Sequence, residues 1–167
     1  MTSSLLLALA LQTGAQTLIP ELQPLAFVTG SCWRGTFSNR PRETDTHCFT
    51  PMLGGRFVRD IHVVEGAQGP YSGETIYRLD RDTGEIRFHY YSSEGFYSSG
   101  SAMPTETGID FPEESYRGMD GDMVVRTRWT RDGADGYLVV SESMNRAGAW
   151  EEAWRMRMVR VGPAPAR

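Results

Sequence analysis

The sequence predicts an all-β fold, an up-and-down antiparallel barrel of about ten strands. After Gly30, short alternating runs rich in Val, Ile, Thr and aromatic residues follow one another, each bounded by turn residues such as Gly, Asn, Asp and Pro. No later segment has helical periodicity long enough for a crossover helix, which excludes parallel βαβ units. Because a meander of this many strands must protect its edges, we expect it to close. A Greek-key sandwich is the main alternative, but it needs longer connections.

The composition indicates one globular domain and argues against nucleic acid as a partner. The chain has 167 residues, of which 40% are hydrophobic and 23% charged, enough to build a core without help. Its 17 basic residues are outnumbered by 21 acidic ones, for a formal net charge of -4. A protein with this charge offers no basic surface to a phosphate backbone.

The N-terminal segment predicts export. Residues 5–11 form a short, almost wholly apolar run, and small residues follow it where a signal peptidase would cleave. We therefore expect residues 1–15 to be a signal peptide and the mature protein to be periplasmic or secreted. No later stretch is long enough to cross a bilayer, so we expect no integral membrane segment in the mature chain.

The rest of the chain is expected to form one domain. We place the barrel in residues 16–161, with one or two helical turns in residues 20–28 ahead of the first strand. Residues 162–167 contain two prolines, and proline cannot continue a central strand. We therefore expect this last segment to be a frayed tail.

The first hairpin predicts a disulfide. When strands 31–37 and 43–50 are paired symmetrically about Arg40, Cys32 lies opposite Cys48 and Trp33 lies opposite His47. Directly opposed residues of an antiparallel pair are close enough for a disulfide. We therefore expect a cross-strand disulfide that stabilises the hairpin and takes no part in redox chemistry.

The hairpin that turns at residues 83–84 gives a second predicted register. One face carries the pairs Leu79–Ile86, Tyr77–Phe88 and Thr75–Tyr90, and the other carries Ile76–His89 and Glu74–Tyr91. The more apolar face is expected to be buried, which leaves His89 and Glu74 outside. In a barrel that holds a ligand the lumen can be the more polar face. His89 with Glu74 therefore remains a weak candidate for acid–base chemistry.

The last hairpin brings two carboxylates together. Turning at residues 146–148, it predicts the pairs Met144–Trp150, Glu142–Glu152, Val140–Trp154 and Leu138–Met156. We expect this face to point inward and to continue onto Trp129 of the preceding strand. Glu142 and Glu152 would then lie near the mouth, solvated or paired with an arginine such as Arg59, or would share a proton as a weak catalytic pair.

The histidines give no metal motif. His47, His62 and His89 lie on three different predicted strands and show no His-x-His or His-x-x-x-His spacing. A zinc site assembled from separate strands is an alternative without a motif to support it, so we predict no metal site. The sequence also lacks a P-loop, a dinucleotide-binding glycine motif and a nucleophile elbow.

Several short motifs resemble those of a known superfamily. Gly30-x-x-Trp33-x-Gly35 resembles the Gly-x-Trp opening of calycins, the lipocalin-like barrels. Later segments are similar to a group of uncharacterised bacterial lipocalin-like domains, distant relatives of the haem-binding nitrobindins. These segments are residues 53–59, Tyr77-x-x-Asp80-x-x-x-Gly84 and residues 88–95. The resemblance covers residues 27–161 and implies a lipocalin-like barrel.

The same resemblance raises haem as a cofactor. Nitrobindins ligate haem through a His on a late strand, whereas this sequence has no His after His89. We therefore disfavour haem and expect no cofactor.

These observations lead to the expectation that the barrel binds a small apolar or amphipathic molecule in its lumen without catalysis. Such cavities hold ligands by shape and apolar area with a few polar anchors. Two alternatives are an enzyme that uses the carboxylates or the His/Glu pair, and a structural or interaction protein with a filled barrel. The expected ligand-binding residues are Trp33, Arg59, Trp129, Glu142, Met144, Trp150, Glu152, Trp154 and Met156.

Overall fold

The chain forms a closed barrel of ten antiparallel strands in a computed structural model, which describes residues 17–66, 71–118 and 123–165. A 3-10 helix, Pro20–Leu25, precedes the strands. The strands are β1 (Ser31–Thr36), β2 (Thr44–Met52), β3 (Phe57–Glu65), β4 (Tyr71–Leu79), β5 (Ile86–Ser92), β6 (Tyr97–Pro104), β7 (Gly108–Arg117), β8 (Met123–Arg131), β9 (Gly136–Met144) and β10 (Trp150–Pro163). Each strand pairs with its neighbours in sequence, and β1 pairs with β10 to close the sheet. The predicted up-and-down barrel is confirmed.

The 3-10 helix closes one end of the barrel. Leu22 and Leu25 are fully buried, and the Ile19 N–H donates to the carbonyl of Gly55 in the turn between β2 and β3 (3.1 Å). The indole N–H of Trp33 donates to the carbonyl of Val28 (3.0 Å), which joins β1 to the segment after the helix. Because successive turns of an up-and-down barrel alternate between its ends, the turns after β1, β3, β5, β7 and β9 surround the opposite end.

The first two predicted registers are confirmed. Cys32 lies opposite Cys48 and forms the predicted disulfide with it. Trp33 lies opposite His47 and is buried, so the alternation of the strand places the disulfide on the outer wall. The β4–β5 pairs also match the prediction, from Leu79–Ile86 to Glu74–Tyr91.

The last hairpin departs from its predicted register. Met144–Trp150 and Glu142–Glu152 pair as expected, but a bulge at Ala153 then pairs Trp154 with Ser141 and Met156 with Val139. The predicted Val140–Trp154 and Leu138–Met156 pairs are therefore wrong. An extra residue in one strand reverses which face the following side chains occupy. Residues before the bulge and residues after it thus do not share the single face that we expected.

Only one of the two terminal segments that we predicted lies partly within the described residues. The proposed signal peptide, residues 1–15, lies outside the described residues. Strand β10 continues to Pro163, and the N–H of Ala164 donates to the carbonyl of Gly30 (3.0 Å). The strand therefore includes the first two residues of the segment that we expected to be a tail. Within the described ranges, no helix is long and apolar enough to cross a membrane.

Candidate functional site: a lumen with a carboxylate–histidine network

The barrel encloses a cavity of about 770 Å³, a volume typical of small-molecule sites. Residues next to the turns after β1, β3 and β5 line it, including Phe37, Gly66 and Phe96. The cavity therefore opens at the end opposite the 3-10 helix.

Aromatic side chains form the deep part of the cavity. Trp129 packs against Phe111 and Tyr137 with ring centroids 4.8 and 5.4 Å apart, and Tyr77 and Phe88 complete this floor. Burial raises the pKa of both Tyr77 and Tyr137 well above the usual value. Both phenols are therefore neutral at physiological pH, and the floor carries no charge.

Polar side chains line one wall between the floor and the mouth. Two Asp-x-His sequences supply the centre of this wall: Asp45 and His47 on β2, and Asp60 and His62 on β3. Residues two apart in a strand point to the same face, and here that face is the lumen. The β2–β3 register places His47 directly opposite His62. Each Asp is consequently diagonal to the His of the other strand.

These four side chains form a continuous hydrogen-bonded network. His47 Nδ1 lies 2.7 Å from Asp60 Oδ2, and His47 Nε2 lies 3.1 Å from Asp45 Oδ2. His62 Nδ1 lies 3.0 Å from Asp45 Oδ1. The two imidazole rings stack with their centroids 4.8 Å apart. Asp45 therefore bridges both histidines, and Asp60 contacts the far nitrogen of His47.

Two tyrosines extend the network toward the mouth. His62 Nε2 lies 3.2 Å from the hydroxyl of Tyr90, which is hydrogen-bonded to the hydroxyl of Tyr71. We call the six residues the lumen network: Asp45, His47, Asp60, His62, Tyr71 and Tyr90.

The network places a positively charged imidazole next to a negatively charged carboxylate. Burial lowers the pKa of His47, but the charges of Asp45 and Asp60 and their hydrogen bonds outweigh it and raise that pKa well above the usual value. Burial raises the pKa of Asp45, but the charges and hydrogen bonds of His47 and His62 hold it far below the usual value. Without another cation, His47 is therefore protonated beside an ionised Asp45 at neutral pH.

Glu114 adds a further, partly buried carboxyl across the lumen. It accepts a hydrogen bond from the Ser98 hydroxyl, and burial raises its pKa. The β7–β8 register shifts between Phe111 and Glu114, so Phe111 and Glu114 both line the cavity although they are three residues apart. This irregularity coincides with Pro112, which cannot donate a ladder hydrogen bond.

Four of the nine expected ligand-binding residues lie inside the barrel. Trp129, Trp154 and Met156 line the cavity. Trp33 is buried but lies in the closed end, where its ring packs on Tyr137 with centroids 5.2 Å apart. It is therefore a core residue rather than a wall of the cavity.

The other five expected residues lie on the outer wall, which corrects our prediction. Strand β9 points Tyr137, Val139 and Ser141 inward, so Glu142 and Met144 point outward. Trp150 and Glu152, which precede the bulge, are on the same outer face. The correction thus concerns Arg59, Glu142, Met144, Trp150 and Glu152.

Each outer carboxylate has an arginine partner, although not the one that we expected. Glu142 binds Arg126 (2.6 and 3.1 Å), and Glu152 pairs with Arg155. Arg59 instead binds Glu74 (2.6 and 2.5 Å). Each carboxylate is therefore balanced by a positive charge, and the expected sharing of a proton is not required.

The weak catalytic pair His89 and Glu74 also lies on the outer wall. His89 is exposed, and Glu74 is hydrogen-bonded to Arg59. Neither residue lines the cavity, as the apolar register of this hairpin predicted.

Sequence reasoning missed the lumen network. The available signal was the repeated Asp-x-His pattern, which places like residues on one face of two neighbouring strands. No metal-ligand spacing of histidines occurs within either strand, and the cluster forms only through the β2–β3 register. Asp45, His47 and His62 offer ligand atoms within 4.8 Å of one another that could hold a metal ion.

Comparison with solved structures supports the fold. The chain is similar to the protein of "Crystal Structure of Rv2717c from M. tuberculosis", with a TM-score of 0.64 and 17% sequence identity over 87% of this chain and 99% of that chain. No family model matches the sequence, and neither does any curated protein. At this identity the likeness concerns the fold alone.

Proposed function

We propose that the protein binds a small amphipathic molecule in its lumen and acts as a carrier or sensor of that molecule rather than as an enzyme. The observation that carries this proposal is the cavity of about 770 Å³, which is open at one end. A barrel with a purely structural role would be expected to fill this space with side chains, as small barrels do.

The division of the lumen suggests how such a ligand would lie. Its apolar body would pack against the neutral aromatic floor around Trp129 and Tyr137. Its polar group would face the lumen network, because Asp45, His47 and His62 all reach the cavity. A mostly apolar pocket with a few convergent polar groups is the common pattern of small-molecule sites.

The disulfide supports a location outside the cytoplasm. Disulfides persist in oxidising compartments and are rare where thiols are kept reduced. Cys32 and Cys48 form a disulfide with each other. We therefore propose that the protein functions in the periplasm or as a secreted protein.

A cavity-filling substitution tests the proposal. Ser143 lines the cavity near its mouth, while the next residue, Met144, points outward and is 44% exposed. We propose to compare Ser143→Trp with the matched control Met144→Trp. Binding of the neutral fluorophore N-phenyl-1-naphthylamine is measured by its fluorescence increase.

The expected result is saturable binding by the unaltered protein and by Met144→Trp, and at least tenfold weaker binding by Ser143→Trp. Val125 lies opposite Ser143 and also faces the cavity, so Val125→Phe serves if the first variant does not fold. Equal binding by the inner and outer variants, or no saturable binding by the unaltered protein, overturns the proposal.

A further inference from the structure

We propose that Asp45, His47 and His62 form a binding site for a divalent transition-metal ion of the zinc class, with an open position toward the lumen. This site goes beyond ligand binding by shape, and it does not depend on the organic ligand. Two imidazoles and one carboxylate are a ligand set that zinc and ferrous iron use in open sites.

The two imidazole nitrogens already lie at nearly the right distance from the carboxylate. His47 Nε2 and His62 Nδ1 each lie close to the Asp45 carboxylate, at 3.1 Å from Oδ2 and 3.0 Å from Oδ1. Zinc bonds to nitrogen or oxygen are about 2.0–2.1 Å long in tetrahedral sites, which separates neighbouring ligand atoms by about 3.3 Å. Both nitrogen–oxygen distances are therefore within a few tenths of an ångström of those in a zinc site, and all three ligand atoms lie within 4.8 Å of one another.

In each ring, the nitrogen that would not bind the metal has a hydrogen-bond partner, as it does in known metal sites. His47 directs Nδ1 at Asp60 (2.7 Å), and His62 directs Nε2 at the Tyr90 hydroxyl (3.2 Å). Ligating histidines almost always have a hydrogen-bond partner on the nitrogen that does not bind the metal, because it fixes the ring and the tautomer. Here both rings present one nitrogen to Asp45 and have the other nitrogen engaged.

Asp60 provides an independent observation. Its Oδ1 atom is buried and has no hydrogen-bond partner among the described residues, although the residue is only 2% exposed. A buried carboxylate oxygen without a partner is costly. In the described part of the chain, the ion pairs of Asp45 and Asp60 are with histidines only. A divalent cation would supply the positive charge that this pair of carboxylates attracts.

The surroundings select the class of ion. Both cysteines are in the disulfide, so no thiolate is available for soft ions such as Cu(I). Magnesium and calcium prefer an all-oxygen set, which two imidazoles do not provide. All three ligands line the cavity, so the remaining coordination position would be open to water or to a ligand.

The test uses the purified protein, freed of metal with a chelator, and Zn²⁺ alone. Calorimetry should show one Zn²⁺ per chain, and Co²⁺ in its place should give the visible absorption of a four- or five-coordinate site. His62→Gln and Asp45→Asn should weaken Zn²⁺ binding by at least 100-fold. Asp60→Asn, which acts through His47, should weaken it by about 10- to 100-fold. The matched control is His89→Gln, because the third histidine is exposed on the outer wall; it should bind as the unaltered protein does.

NMR of the unaltered protein with Co²⁺ covers the case in which a ligand variant does not fold. The ring protons of His47 and His62 should show large paramagnetic shifts, while those of His89 should stay in place. The proposal is overturned by the absence of stoichiometric Zn²⁺ binding, by unchanged affinity in folded His62→Gln and Asp45→Asn, or by ring signals of His47 and His62 that Co²⁺ leaves unmoved. Because no organic ligand is present, this result is separate from that of the cavity-filling experiment.

Discussion

Gly73 lies opposite His62 in the β3–β4 pair, and a β-carbon on Gly73 would come within 2.5 Å of the imidazole Nε2. The same carbon would come within 2.3 Å of the Tyr90 ring. Gly73 thus makes room for the hydrogen bond between His62 and Tyr90. The lumen network depends on the lack of a side chain at this position as much as on its polar groups.

The first prediction concerns this glycine. Gly73→Ala should lower the free energy of unfolding by about 1–3 kcal/mol, since the added methyl group must displace two packed rings. It should also move the His62 ring signals in the NMR spectrum. Urea denaturation measures the first effect. Gly162→Ala is the control, because a β-carbon there meets no atom within 4 Å; an equal loss of stability in both variants would contradict the role of Gly73.

The second prediction concerns the pH dependence of stability. Burial raises the pKa of Glu114 in the folded protein above its usual value of 4.5. A carboxyl whose pKa is higher in the folded state stabilises the fold fully below the unfolded pKa, and this contribution is lost as the pH rises through the folded pKa. Glu114→Gln should therefore match the unaltered protein at pH 4 and be more stable than it at pH 8.

Thermal or urea unfolding across this pH range measures the difference. The control is Glu113→Gln, because Glu113 is the neighbouring residue and is exposed. Its stability should follow that of the unaltered protein at every pH. A Glu114→Gln difference that is the same at pH 4 and pH 8 would show that the carboxyl does not titrate as its burial implies.

The third prediction concerns the disulfide. Cys32 and Cys48 are 16 residues apart, and closing a loop of that length stabilises a protein by about 3 kcal/mol in the chain-entropy description. Replacing both with Ala should lower the free energy of unfolding by about this amount. Binding in the cavity should be unchanged where the variant is folded, because the disulfide is on the outer wall. Reductant should lower the free energy of unfolding of the unaltered protein and leave that of the variant unchanged.

The barrel was predictable from the sequence because its local signals agree with one another. The turn at Arg40 and the two cysteines independently specify the register of β1 and β2, and the apolar pairs of β4 and β5 specify theirs. Short connections between alternating strands then leave an up-and-down meander as the simplest arrangement. None of these inferences requires knowledge of contacts between distant parts of the chain.

The lumen was less predictable because part of its wall does not follow the usual rule of apolar inside and polar outside. On β9 the inward residues include Ser141 and Ser143, while the outward ones include Leu138 and Val140, so hydrophobicity favoured the wrong face. The bulge at Ala153 then brings Trp154 inward, and no local residue preference marks it. A site that holds polar groups inside a barrel is where such pattern reasoning is expected to fail.

The last prediction concerns Glu142, which we expected in the lumen and which lies outside it. Glu142 is bound to Arg126 on the outer wall, and Arg126 also lies over the ring of Trp150, 4.5 Å from its centroid. Exposed ion pairs contribute little to stability because water and salt screen them. Glu142→Gln should therefore leave N-phenyl-1-naphthylamine binding and Zn²⁺ binding unchanged, and it should alter the urea midpoint only slightly. Asp45→Asn, which removes a carboxylate from the inner face of the barrel wall, should weaken Zn²⁺ binding in the same assay. If Glu142→Gln instead abolished binding of either probe, the outer wall rather than the lumen would hold the site.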